Sequence, residues 1–229
     1  MYAFFAQINQ HVGIAELKIQ ERIIYIYASI YLYGDAASQT LSVEVAGDIQ
    51  QHWNEPGATV LIKSNVHKVI FDISGFWAPD LQPADVYENN DPSKNFFRIE
   101  AFSGHDISFV DGIGSNTGYF KLDNLLNNST TAAHEFGHTL GLDHPHNLDT
   151  RGMGTPGIMY PRGTITDPNF QYDPAAAPAT KGGTLNPFRR KVLQKDIDDL
   201  RLPQLNFHRS NQAVVGGFSS VWHEKHIAK

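Results

Sequence analysis

His134-Glu135-Phe136-Gly137-His138-Thr139-Leu140-Gly141-Leu142-Asp143-His144 is an eleven-residue run with histidines, a glutamate and a glycine at fixed spacing. Its pattern is H-E-x-x-H-x-x-G-x-x-H. On a helix, His134 and His138 stand one turn apart and project from the same face. Their Cα atoms are then about 6 Å apart along the axis, so two imidazoles can reach one metal ion. Glu135 points beside that metal, where it can take a proton from an activated water. Gly141 suits a helix end at positive φ. The turn that follows brings His144 back as a third ligand. Three histidines with one open position are the donor set of a catalytic zinc.

The sequence around this stretch alternates between clear and weak patterns. Residues 22–33 are rich in β-branched and aromatic side chains and predict a long buried strand. In 37–53, Leu41, Val45, Ile49 and Trp53 recur every four residues and predict a helix with one apolar stripe, with Trp53 and His52 packing at its end. Strands are expected at 59–63 and 67–74, with a turn at Ser64-Asn65, then at 95–102, 106–110 and 119–122. Three prolines make 75–95 loop-like. The glycine-rich Gly112–Gly118 lacks the context of a phosphate loop and is read as a turn. The helix carrying the motif is expected over 129–140, with Asn128, Ser129 or Thr130 as its cap. Residues 145–187 form a long irregular stretch, 187–201 read as a helix ended by Pro203, and the final residues as a packed tail. Residues 2–19 suggest an extra strand or short helix.

At 229 residues the chain is expected to be a single domain, 1–229, with an upper lobe of about 1–141 and a lower lobe of about 142–229. A charged fraction of 18% and a net charge of −6, without a basic run, speak against nucleic acid or an anionic membrane surface as partners. No apolar run has the length of a membrane span. Zero cysteines exclude disulfides and thiolate metal sites. The first ten residues lack the pattern of a secretory signal.

The eleven-residue string resembles the signature of the metzincin zinc metallopeptidases, which is followed in that family by a Met-turn. Gly157-Ile158-Met159-Tyr160-Pro161 resembles that turn in its matrixin form. Leu193-Gln194-Lys195-Asp196-Ile197 resembles a helix start of the same group, with Lys195 in place of its first aspartate. Pro145, after the third histidine, is instead typical of serralysin-like members.

The resemblance is specific for about 119–202, architectural for 21–118, and silent on 1–20 and 204–229. It implies an α+β catalytic domain: a twisted mixed sheet and two long helices in the upper lobe, and an irregular lower lobe with a Met-turn and a C-terminal helix. It implies one catalytic Zn²⁺ on His134, His138 and His144, with Glu135 as general base. Gly141 would end the helix. Met159 would floor the imidazoles, and Asp196 would hold the Met-turn backbone. The activity implied is endopeptidase cleavage of a protein or peptide substrate, bound extended along an edge strand among residues 98–110. A side-chain pocket beside the zinc would be walled partly by the loop after Met159, about 160–172. A secreted, monomeric enzyme is expected. The alternatives are a catalytically silent zinc-containing binding module, or a peptidase effector module of a longer polypeptide.

Asp143 either orients a histidine or is a solvated turn residue. His105, Asp106 and Asp111 are candidates for an additional structural metal site. His146, His208, His223 and His226 lack ligand spacing and read as surface or packing residues.

Overall fold

The computed structural model describes residues 15–18, 21–207 and 211–227. The stretches 1–14, 19–20, 208–210 and 228–229 lie outside it. The N-terminal reading therefore reduces to one strand, and His208 falls outside the described residues. The architecture is α+β around a curled mixed sheet. Its strands are β1 (Ala15–Lys18), β2 (Ile23–Tyr33), β3 (Thr59–Ile62), β4 (Asn65–Trp77), β5 (Lys94–Glu100), β6 (Phe109–Val110), β7 (Thr117–Lys121) and β8 (Gln212–Ala213). The main order is β3-β4-β2-β5-β7-β6, with β1 pairing β2 and β8. The central pairs β4-β2, β2-β5 and β5-β7 are parallel, while the outer pairs β3-β4 and β7-β6 are antiparallel.

β2 forms as its composition predicts. Ile24, Ile26, Ile30 and Leu32 are fully buried on one face, and Tyr25, Tyr27 and Tyr31 lie half-buried on the other. Helix α1 (Gln39–Asn54) covers the first face. Ser38 caps it by accepting from the Leu41 N–H at 3.1 Å. Its predicted stripe Leu41, Val45, Ile49 and Trp53 is buried, each side chain contributing roughly 1.5–3 kcal/mol. The helix rests almost on β4, since a Cβ added to Gly75 would lie 1.9 Å from the Ser42 carbonyl oxygen. Trp53 also reaches across to the motif helix, donating from Nε1 to the Ala133 carbonyl at 3.0 Å.

Several boundaries differ from the sequence reading. The turn before β4 uses Lys63 and Ser64, both at positive φ, and not Ser64-Asn65. The loop-like 75–95 contains the end of β4 and a one-turn helix, α2 (Pro83–Tyr87), which Asp85 caps by accepting from the Gln82 N–H at 2.8 Å. β5 is an interior strand, and of the described strands that fall within 98–110 only β6 is an edge, so the edge-strand expectation narrows to 109–110. The motif helix α3 (Thr131–Thr139) has nine residues, so it is not a second long helix. The expected helix over 187–201 is a 3-10 turn at Pro187–Arg189, an extended link and the six-residue α4 (Gln194–Asp199). The periodic Val192, Ile197 and Leu200 are buried, but the cap formed by Asp196 fixes the start of α4. Among the described helices, none is long and apolar enough to cross a membrane.

Candidate metal centre

α3 is buried along its whole length. Its cap residue Thr130 makes no side-chain capping bond; Ser129 accepts from the Thr131 N–H at 3.2 Å instead. The far end closes as a Schellman motif, in which Gly141 N–H donates to the His138 carbonyl and Leu142 N–H to the Gly137 carbonyl, both at 3.0 Å. Gly141 sits at φ 96°, which an L side chain rarely adopts. The reversal returns His144 to the helix face.

The three imidazoles converge. His144 Nε2 lies 3.1 Å from His134 Nε2 and 3.2 Å from His138 Nε2, and the three ligand atoms lie within 4.8 Å of one another. Nitrogens on a tetrahedral zinc at its usual bond length are separated by about 3.3 Å. The remaining ring nitrogens have carbonyl partners. His134 Nδ1 meets the Ile158 carbonyl at 2.7 Å, and His138 Nδ1 meets the Leu142 carbonyl at 2.7 Å. Both carbonyls assign the ring proton to Nδ1 and leave the Nε2 lone pair facing the centre. Burial lowers the affinity of all three rings for a second proton, most strongly for His134, where Arg190 and His138 add to the effect. Neutral imidazoles are the state a metal requires. These residues fit a metal ion.

Glu135 shares a cleft of about 250 Å³ with the three histidines, bounded by β6 and Ile113. Burial pushes its carboxyl up to about 8, against the opposing pull of Arg190 and of the Val110 N–H that it accepts. A dication among the histidines would pull it down again. The edge strand thus meets the carboxylate directly.

The turn at 157–160 joins the site from below. Met159 is buried, and its Sδ lies so close to α3 that a Cβ on Gly137 would stand 2.3 Å from it. Gly137 was not singled out in the sequence, although it lies within the motif. Ile158 is held from both ends: its carbonyl meets His134, and its N–H donates to Asp196. Asp196 also accepts from the Leu193 N–H at 2.7 Å. Lys195 pairs with Asp199 on its own helix.

Arg190 is a further member that sequence reasoning missed. Its buried guanidinium donates to Thr130 Oγ1 at 3.1 Å and to the Tyr160 carbonyl at 2.9 Å, and Nη1 lies 2.9 Å from His134 Nδ1. With the Nδ1 proton committed to Ile158, the Arg190 N–H is satisfied by Tyr160. Nothing in Phe188-Arg189-Arg190-Lys191 signals which of the basic residues turns inward.

Other expectations part from the geometry. Asp143 accepts from the His144 N–H at 2.7 Å and is exposed, so it shapes the turn and orients no ring. His105, Asp106 and Asp111 do not converge: among the described residues the one candidate cluster is His134, His138 and His144. Asp106 pairs with Lys121, and Asp111 with His223. A larger hollow, about 810 Å³, touches His144, Met159 and Tyr160, but the rest of its wall comes from 140–157 and 193–201, not from 161–172. The smaller cleft, and not this hollow, holds Glu135 together with all three histidines.

No protein-family model and no curated protein matches the chain. The solved structure of myroilysin aligns with 78% of this chain and 94% of its own, at 12% identity and a TM-score of 0.37. At that level of likeness, the site's own geometry is the basis for function.

Proposed function

We propose that the chain is a zinc-dependent endopeptidase of metzincin type. The observation that carries this reading is the convergence of three neutral Nε2 atoms beside one desolvated carboxylate at the open edge of a sheet. Three imidazoles with an open fourth position suit zinc among the common divalent metals. When bound, zinc supplies Lewis acidity, activating a water and polarising the scissile carbonyl.

The chain's own residues do the rest. His134 and His138 are held by Ile158 and Leu142, so two donors are oriented before any metal arrives. Glu135 takes the proton from the attacking water on a carboxylate oxygen and hands it to the leaving amine. Proton transfer of this kind contributes on the order of 10²–10⁴-fold. The cleft walls shield this carboxylate from bulk water. The free edge of β6 offers main-chain groups to an extended peptide, as in strand addition. Met159 serves as the floor of the Met-turn, and Asp196 as the post that holds it. The same reading extends to one domain with two lobes parted near Gly141, acting outside the cell as a monomer on protein or peptide substrates.

The test is digestion of casein by the purified chain, before chelation, after chelation, and after zinc is restored, with bound zinc quantified each time. One zinc per chain and activity that follows it are expected. A chain that holds one zinc and cuts no unstructured protein would sink the proposal.

A further inference from the structure

β6 poses a mechanical problem. It has two residues and, among the described residues, a single ladder partner, β7, yet its outer edge must stay open for a substrate. A strand so short needs other support. That support comes from the C-terminal segment. Phe109 stacks on Tyr119 and meets the edge of His223 at 5.6 Å. Asp111, the residue after β6, is held by His223 Nε2 at 2.9 Å to one carboxylate oxygen and 3.0 Å to the other, and by the Thr117 hydroxyl. Both partners of this pair are nearly buried, with 12% and 11% side-chain exposure, so solvent screens it less than a surface pair.

The loop that follows is held in the same way. Gly217 N–H donates to the Gly114 carbonyl at 2.6 Å, while Gly114 N–H donates to the His138 carbonyl at 2.7 Å. Ser219 bonds Ser115 and Asn116 at 2.7 and 3.0 Å. Gly216 passes so near α3 that a Cβ would lie 2.2 Å from the Thr139 carbonyl oxygen. Beyond His223 the segment stays anchored, with Trp222 stacked on Tyr33 at 4.6 Å and His226 on Tyr119 at 4.0 Å. The reaction cleft shares Gly112 and Ile113 with a second hollow of about 590 Å³, whose far wall is Gly216–Ser219. Phe218 is 48% exposed there, although it is a large apolar side chain.

We infer that residues 216–226 belong to the substrate-binding apparatus: His223 is a positioning residue that fixes β6 through Asp111, and Phe218 is an apolar contact for a substrate side chain beyond the cleft. The inference rests on the endopeptidase reading for its substrate, but the holding role can be read without catalysis.

The experiment compares the zinc-loaded full chain with His223→Ala, His223→Gln and Phe218→Ala. Losing a hydrogen bond to a charged group should speed amide exchange of residues 107–114 about tenfold in His223→Ala, with 131–139 unchanged. KM for an extended peptide of about ten residues should rise several-fold, with kcat and zinc content kept. His223→Gln, which can still donate to Asp111, should restore both readouts. Phe218→Ala should melt like the wild type and lose a preference for a large apolar residue at one position of a peptide library. Unchanged exchange at 107–114 in His223→Ala overturns the holding role, and a library profile that superimposes on the wild type overturns the contact. If the wild type cuts nothing while exchange rises in His223→Ala, the peptidase reading fails and the holding role stands.

Discussion

The chain on either side of Gly141 is built in two ways. Before it, periodic patterns make long elements: β2 and β4 run in parallel register over ten pairs, and α1 lays one apolar stripe on them. After it, between 142 and 207, the backbone is held by isolated bridges such as Asp149 with Ile165 and Gly157 with Lys191, and by single side chains such as Asp196 and Arg190. The first region carries His134, Glu135 and His138 on one helix. The second carries His144, Met159 and the Ile158 carbonyl that meets His134. Precision in the first region comes from many small contacts, so it should tolerate single losses. In the second it comes from few hydrogen bonds, so single losses there should be felt at the metal.

The largest effect should come from removing a ligand outright. His138→Ala should abolish measurable zinc binding and cleavage, with melting of the sheet region little changed; retained stoichiometric zinc would contradict the ligand assignment. Asp196→Asn tests the second region. The substitution turns one of the two acceptor oxygens into an NH2 donor beside the Leu193 and Ile158 N–H groups, so zinc affinity should fall about 10–100-fold although the residue is none of the three clustered histidines. Affinity equal to the wild type would show that Ile158 needs no such anchor.

The same residue gives a pH signature. Burial pushes the Asp196 carboxyl up to about 6. Between roughly pH 4 and 6, therefore, the folded chain keeps a proton that the unfolded chain has released. Stability from this group is greatest below that window and declines as pH rises through it. Denaturant titrations should show the decline in the wild type and a flatter profile in Asp196→Asn.

Two helix glycines sharpen the comparison. Gly137→Ala should cost about 1–3 kcal/mol, because its Cβ would run into Met159 Sδ. Gly47→Ala, in α1 with open space around it, should instead stabilise by about 0.5–1 kcal/mol. Thermal melts of both variants check the opposite signs. A modest effect is expected for Met159→Leu too, under about 1.5 kcal/mol with zinc retained, because the contact is one of packing. Complete loss of zinc in that variant would show a role beyond packing.

What was legible in the sequence follows the same division. β2, α1 and the motif helix could be read because burial imposes a period on side chains, as Leu41, Val45, Ile49 and Trp53 show. The convergence of His134, His138 and His144 could be read because the helix pitch and Gly141 fix its geometry locally. The reading of 187–201 as one helix failed because Ile197 and Leu200 are buried from α4 and its C-cap, while Val192 is buried from the extended link before it. Arg190 was invisible because its partners Thr130 and Tyr160 are 60 and 30 residues away, and no local pattern marks a buried cation. The anchor for His138 was equally hidden: it is the Leu142 carbonyl, which Gly141 aims, and not a carboxylate. Of the tail, the aromatic residues foretold packing, but its placement against β6 depends on Asp111, more than a hundred residues earlier.

The most direct measurement is casein cleavage by Glu135→Gln beside the wild type, with zinc quantified in both. In the proposed mechanism Glu135 is the group that takes and delivers the proton. The account predicts one zinc per chain in each protein and a loss of cleavage of about 10²-fold or more in the variant. Equal cleavage by a zinc-loaded Glu135→Gln would contradict it.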